Sequence, residues 1–125
     1  MEEELMKKFT AALIIILCFA TASFAAFGKK GFVPDGDPIA YKGLKVTENG
    51  VNIILMNKGD KTVVFNAALA FLNNRRQEIG DVYIEKTTIE PGGEAAFKDL
   101  FLKGDYKACR KAESLRWTIY ELEVK

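Results

Sequence analysis

Reverse-turn residues punctuate this chain often enough to limit the length of every regular element it can form. Asn49-Gly50, Asn57-Lys58-Gly59-Asp60, Asn73-Asn74-Arg75-Arg76 and Pro91-Gly92-Gly93 each place Gly, Asn or Pro where the backbone must reverse. Between them lie short apolar stretches that alternate with period two, the repeat of a strand with one buried face. The clearest is Thr62 to Asn73, where Val63, Phe65, Ala67, Leu69 and Phe71 fall on one side. Ala67 to Leu72 holds good helix formers, but the β-branched start and the strict alternation of bulk favour the strand.

The same reading predicts strands over Tyr41 to Thr47, Val51 to Asn57, Ile79 to Lys86 with Thr87 to Ile89 continuing, Glu94 to Leu102, and Ser114 to Val124. Asn49-Gly50 is expected to form a tight two-residue hairpin, and Gly92 to supply a positive backbone angle after Pro91. Asp105 is placed to cap a short helical connection through Cys109 and Ala112. Short strands with turns about every eight to twelve residues make the pattern of a two-sheet sandwich. The expected fold is therefore all-β, an antiparallel immunoglobulin-like sandwich of about seven strands over residues 41–125. Residues 26–40, rich in Gly, Lys and Pro, are expected to be an exposed lead-in.

The first 25 residues read differently. Met6-Lys7-Lys8 precedes an apolar run from Phe9 to Phe19 and a small-residue tail ending Ser23-Phe24-Ala25-Ala26. That is the layout of a secretory signal helix, with Ser23 and Ala25 at minus three and minus one and cleavage between Ala25 and Ala26. Glu2, Glu3 and Glu4 are foreign to such a signal, so translation is expected to start at Met6. The alternative is a retained anchor, because Phe9 to Ala26 carries no charge and just reaches bilayer-spanning length. Leu17 precedes Cys18 where a lipidation site needs a small residue. The expected location is outside the cytoplasm, in the periplasm or beyond, with membrane contact only through the signal segment if it is uncleaved.

Cleavage leaves the 100 residues from Ala26 to Lys125, enough for one core without disulfides. Removing two lysines from 18 bases and three glutamates from 17 acids leaves 16 against 14. So even a balance makes no case for nucleic acid or an anionic membrane, both of which need a concentrated basic face. Arg75-Arg76 and the group Lys107, Arg110, Lys111 read as a solvated turn and helix face. Cys18 departs with the signal, leaving Cys109 without an internal partner and expected to be buried beside Ala108 and Ala112; the alternative is a disulfide between two chains.

The sequence contains no histidine. Ser-His-Asp and Cys-His arrangements are excluded, together with the commonest zinc ligand. Asp35-Gly36-Asp37 lacks the further oxygen ligands of a calcium loop and reads as a turn. Glu78, Asp81 and Glu85 lie along one strand among Arg76 and Lys86, which is surface charge rather than a facing catalytic pair. Trp117, Tyr120, Tyr83 and Phe101 are the aromatics that could line a carbohydrate or peptide groove. Trp117 alternates with Leu115 and Ile119 and is expected in the core, whereas Tyr83 is out of phase with Val82 and Ile84 and is the better candidate for an exposed ring. Tyr83 with Arg75 and Arg76 marks the candidate binding surface; no catalytic, metal or cofactor site is expected.

Leu55-Met56-Asn57-Lys58-Gly59, the strand Val63 to Asn73, and Ile89-Glu90-Pro91-Gly92-Gly93 before a further strand resemble bacterial exported immunoglobulin-like or fibronectin-type-III-like modules. Among these the FxLYD domains are the most similar, through an N-x-G turn, Leu69-Ala70-Phe71-Leu72-Asn73 in place of the namesake run, and a later P-G turn. The resemblance spans Leu44 to Val124 and implies a binding or accessory module with no catalytic residues. The expected function is a non-enzymatic exported module for an envelope protein partner; the alternative is a small-ligand or carbohydrate binder using exposed aromatics. N-terminal sequencing of the chain recovered from an exporting host should give Ala26 as its first residue, and a cleavage-blocked precursor should begin at Met6. Recovery of Met1 or Glu2 in the precursor contradicts the second expectation.

Overall fold

Val63, Phe65, Ala67, Leu69 and Phe71 are all fully buried, on the inner face of a ten-residue strand. The computed structural model describes residues 27–125. In chain order the described elements are β1 (Gly31–Phe32), β2 (Ile39–Thr47), β3 (Gly50–Asn57), β4 (Val63–Leu72), β5 (Glu78–Ile89), β6 (Glu94–Leu100), β7 (Lys103–Gly104), α1 (Tyr106–Cys109) and β8 (Ser114–Val124). They form two antiparallel four-stranded sheets, ordered β1-β2-β3-β6 and β7-β5-β4-β8. This is the expected all-β sandwich, with six long strands and two short ones. The signal helix, Ala25 and Ala26 lie outside the described residues.

The core fills the space between the sheets. Ile39, Tyr41, Leu44, Val46, Val51, Ile53 and Leu55 of one sheet meet the β4 face, Val82, Ile84 and Ile89 of the other. β8 is less deeply placed: Leu115, Trp117 and Ile119 are half-buried against the core, and Trp117 rests on Tyr41 with ring centroids 5.5 Å apart.

Three of the register irregularities in the sheets shift side chains between faces. In β2 the register slips between Lys42 and Lys45, with Gly43 at φ 65, so that Tyr41 and Leu44 both point inward. In β5 the residues Glu85 and Lys86 together oppose Asn66, which turns Ile84 and Ile89 to the same side despite their odd spacing. β8 bulges opposite Asn66 and Ala67, which brings Leu122 onto the core with Ile119. Each is the extra-residue insertion of a β-bulge.

Two expectations need correction. The segment before Tyr41 is not an exposed lead-in: Phe27, Val33, Ile39 and Ala40 are buried, and β1 pairs with β2 through Gly31–Tyr41 and Phe32–Ala40. Phe27 packs edge-on to Phe71 at 5.6 Å, an apolar anchor that outweighs the loop-like composition around it. The β2–β3 hairpin turns on Glu48 and Asn49 rather than on Asn49-Gly50, because Thr47 pairs with Gly50. Gly50 takes φ 135 within β3, and a Cβ there would strike the backbone of Asp99 and Leu100. Glycine is thus required for close approach to β6, not for the turn.

Asn57 ends β3 and is a buried polar side chain, only 1% exposed. Its Nδ2 donates to the carbonyls of Lys61 (2.7 Å) and Ile89 (2.9 Å), and its Oδ1 accepts from Gly59 N–H at 2.9 Å. Asn57→Ala removes these three bonds and deprives the buried Ile89 carbonyl of its side-chain donor, a loss of about 3 kcal/mol. Asn57→Asp should cost more, since it sets a carboxylate oxygen against two carbonyl oxygens. Urea unfolding midpoints check both; an unchanged midpoint for Asn57→Ala contradicts the role.

Candidate functional site

The expected surface residues do not converge. Arg75 and Arg76 occupy the β4–β5 hairpin tip, where Asn73 Oδ1 accepts from the N–H groups of Arg75 (2.8 Å) and Gln77 (3.0 Å). Arg76 is held at φ 62, a conformation usually left to glycine. Tyr83 lies opposite Ala68, roughly 15 Å along the sheet from that tip. The hairpin arginines and the tyrosine are separate features.

Tyr83 has other neighbours. Its ring lies 6.1 Å from that of Tyr120 on the outer face of the β5-β4-β8 sheet, and Asn66 Nδ2 donates to its hydroxyl at 2.9 Å. Asn66 Oδ1 is buried beneath them without a hydrogen-bond partner. On its other side Tyr83 borders an open groove of about 540 Å³, shared with Asp81, Phe97, Leu100, Phe101 and Lys103. Phe101 is 83% exposed and Tyr83 49%, an unusual display of aromatic surface.

The groove follows from topology. β7 is two residues long and pairs only with Gly80 and Asp81. From Val82 to Ile89 the outer edge of β5 therefore has no neighbour among the described strands, and β6 is likewise the last strand of its own sheet. The groove is the corner between these two edges. The sequence groups Phe101 with Tyr83 among the candidate groove aromatics but gives no sign of Phe97 or Leu100 as their companions, since these come from β6.

The other candidate groups are accounted for. Glu78 is paired with Arg116 at 2.6 Å. Asp35-Gly36-Asp37 is a turn, with Gly36 N–H donating to the Val33 carbonyl at 2.9 Å. Among the described residues no cluster of His, Cys, Asp and Glu fits a metal ion, and no helix is long and apolar enough to cross a membrane.

Cys109 is buried at the end of α1, whose cap is Asp105 accepting from Lys107 N–H at 3.2 Å. Its Sγ–H donates to the Ile79 carbonyl at 3.6 Å. Burial, with smaller contributions from the Asp105 and Asp81 carboxylates, pushes its pKa up to about 11. Above the ordinary value of 9.0 the unfolded chain releases this proton while the folded chain keeps it. The unfolded state then binds fewer protons, so this group's contribution to stability falls as pH rises from 9.0 to about 11. Urea unfolding across that window should show the fall, and Cys109→Ala should flatten it; identical pH slopes in both proteins contradict the burial of the thiol.

No protein-family model, curated protein or solved structure matches this chain.

Proposed function

We propose that the chain is a non-enzymatic, exported envelope module, related to the FxLYD-like sandwiches, that holds an extended segment of a protein partner against β5. The observation that carries this reading is the free stretch from Val82 to Ile89 beside an aromatic groove. Unpaired strand edges take up added strands through main-chain hydrogen bonds, and adjacent pockets select the side chains. The bulge at Glu85–Lys86 interrupts a long ladder, so the groove supplies much of the contact. Tyr83, Phe97 and Phe101 offer large area at small entropic cost. The N-terminal signal pattern supports the extracytoplasmic setting.

A second reading rests on the Tyr83–Tyr120 pair. A sugar ring would stack on the exposed faces of these rings, with Asn66 Nδ2 holding the Tyr83 hydroxyl in place. Such a ligand is expected to quench tyrosine fluorescence and to lose binding in Asn66→Ala.

A photo-crosslinking residue at Phe101, in the chain exported by its host, should trap a partner, whereas the same residue at Arg76 should not. Phe101→Glu should weaken capture roughly thirty-fold, the scale of losing one aromatic anchor. Adducts from position 76 and none from position 101 would place the interface elsewhere.

A further inference from the structure

The near-neutral composition conceals a concentration of positive charge at one end of the sandwich. A cavity of about 830 Å³ opens there, with Lys29, Lys45, Arg110 and Lys111 on its rim and Glu48 as its one carboxylate. Phe27, Leu44 and Val46 form an apolar floor. The four cations come from three separate stretches of chain: the entry segment, β2, and the end of α1. Among the described residues none of them is paired with a carboxylate. Arg110 is steadied over the Tyr106 ring, its guanidinium carbon 5.2 Å from the centroid. The hairpin tip carrying Arg75 and Arg76 stands at the same end, since β4 runs toward it and Glu113 N–H donates to the Leu72 carbonyl at 2.8 Å.

This is also the end at which the N-terminal segment enters. Phe27 is buried against Phe71, and the Lys29 carbonyl accepts from Leu44 N–H at 3.1 Å. The uncharged run Phe9 to Ala26 stops one residue before Phe27, so no linker separates it from the cavity. A bilayer that holds the run, at roughly 3.5 Å of reach per residue, lies within a few residues' length of Lys29. Cleavage after Ala25 would add an ammonium group at this same end.

We propose that this basic cavity seats the headgroups of anionic phospholipids, holding the domain with this end against the membrane from which the chain emerges. The partner-binding groove shares no lining residue with this cavity, so this inference stands apart from the functional reading above. Each lysine or arginine near an anionic surface raises partitioning roughly five-fold.

The test uses the full 125-residue chain, produced without processing and sedimented with phosphatidylcholine vesicles and with vesicles that also contain phosphatidylglycerol. Any insertion by the apolar run contributes to both, and the difference between them reads the cavity. The expected result is a preference for the anionic vesicles that weakens as salt is raised. Lys45→Gln with Lys111→Gln should reduce that preference roughly 25-fold and leave binding to neutral vesicles unchanged. Both side chains are exposed, and a thermal melt confirms that the fold is kept. Lys58→Gln with Lys61→Gln, at the opposite end, should have little effect. Equal binding to the two vesicle types, equal losses from the two double variants, or abolition of the preference by millimolar inorganic phosphate would each overturn the proposal, the last by identifying a free anion as the ligand.

Discussion

The amide of Asn57 is the contact on which the order of this sandwich depends. Two crossings between the sheets occur beside it, from β3 to β4 and from β5 to β6. Nδ2 reaches the Lys61 carbonyl on the first crossing and the Ile89 carbonyl at the start of the second. The backbone of the same residue completes the tie: its N–H donates to the Gly93 carbonyl and its carbonyl accepts from Gly92 N–H, both at 3.0 Å. One residue thus joins the end of β3, two connections and the opposite sheet. Only an uncharged side chain with two donors and an acceptor satisfies that set, which accounts for asparagine among so many apolar neighbours.

At the other end of the sandwich, fit replaces hydrogen bonding. α1 is a single turn, too short to be stable alone, and it is held by packing of Cys109 into the space left by Gly80. A Cβ at Gly80 would overlap Cys109 Sγ and crowd the Lys103 carbonyl, so β7 and α1 both depend on that missing side chain. Gly50 plays the same part where the β2–β3 hairpin meets the end of β6. Phe27 then closes the end by covering Phe71. Its burial against Phe71 makes it a structural residue of the domain.

Much of this was readable from residue pattern. The bounds of β4 and β8, the single helical turn capped by Asp105, and the outward Tyr83 follow from period-two alternation and local turn chemistry, which are properties of neighbouring residues. The parts that escaped depend on distant partners. A bulge changes the face of every later side chain without disturbing local composition, which is why Leu122 reads as outward yet packs inward. Val33 and Phe27 sit among glycines, lysines and prolines, and only the presence of Phe71 and β2 makes burial favourable there. The groove beside Tyr83 was hidden for a similar reason: it exists because β7 stops after two residues, and no feature of β5 announces that.

Charge shows the same limit most clearly. Sixteen bases against fourteen acids over residues 27–125 is a statement about the sum, and a field at a surface depends on placement. Lys42, Lys86 and Arg116 are matched by Glu94, Glu121 and Glu78 along the sheets, so their fields largely cancel. The rim around Phe27 has four cations and Glu48, and cancellation fails there. The segments supplying them, at positions 29, 45 and 110–111, are far apart in the chain, and each alone is ordinary solvated charge. Their convergence is a product of the sandwich: the β2–β3 hairpin, α1 and the entering chain all finish at the end away from Asn57. The bonded end sets the arrangement of strands, and the opposite end inherits a surface whose charge no single segment encodes.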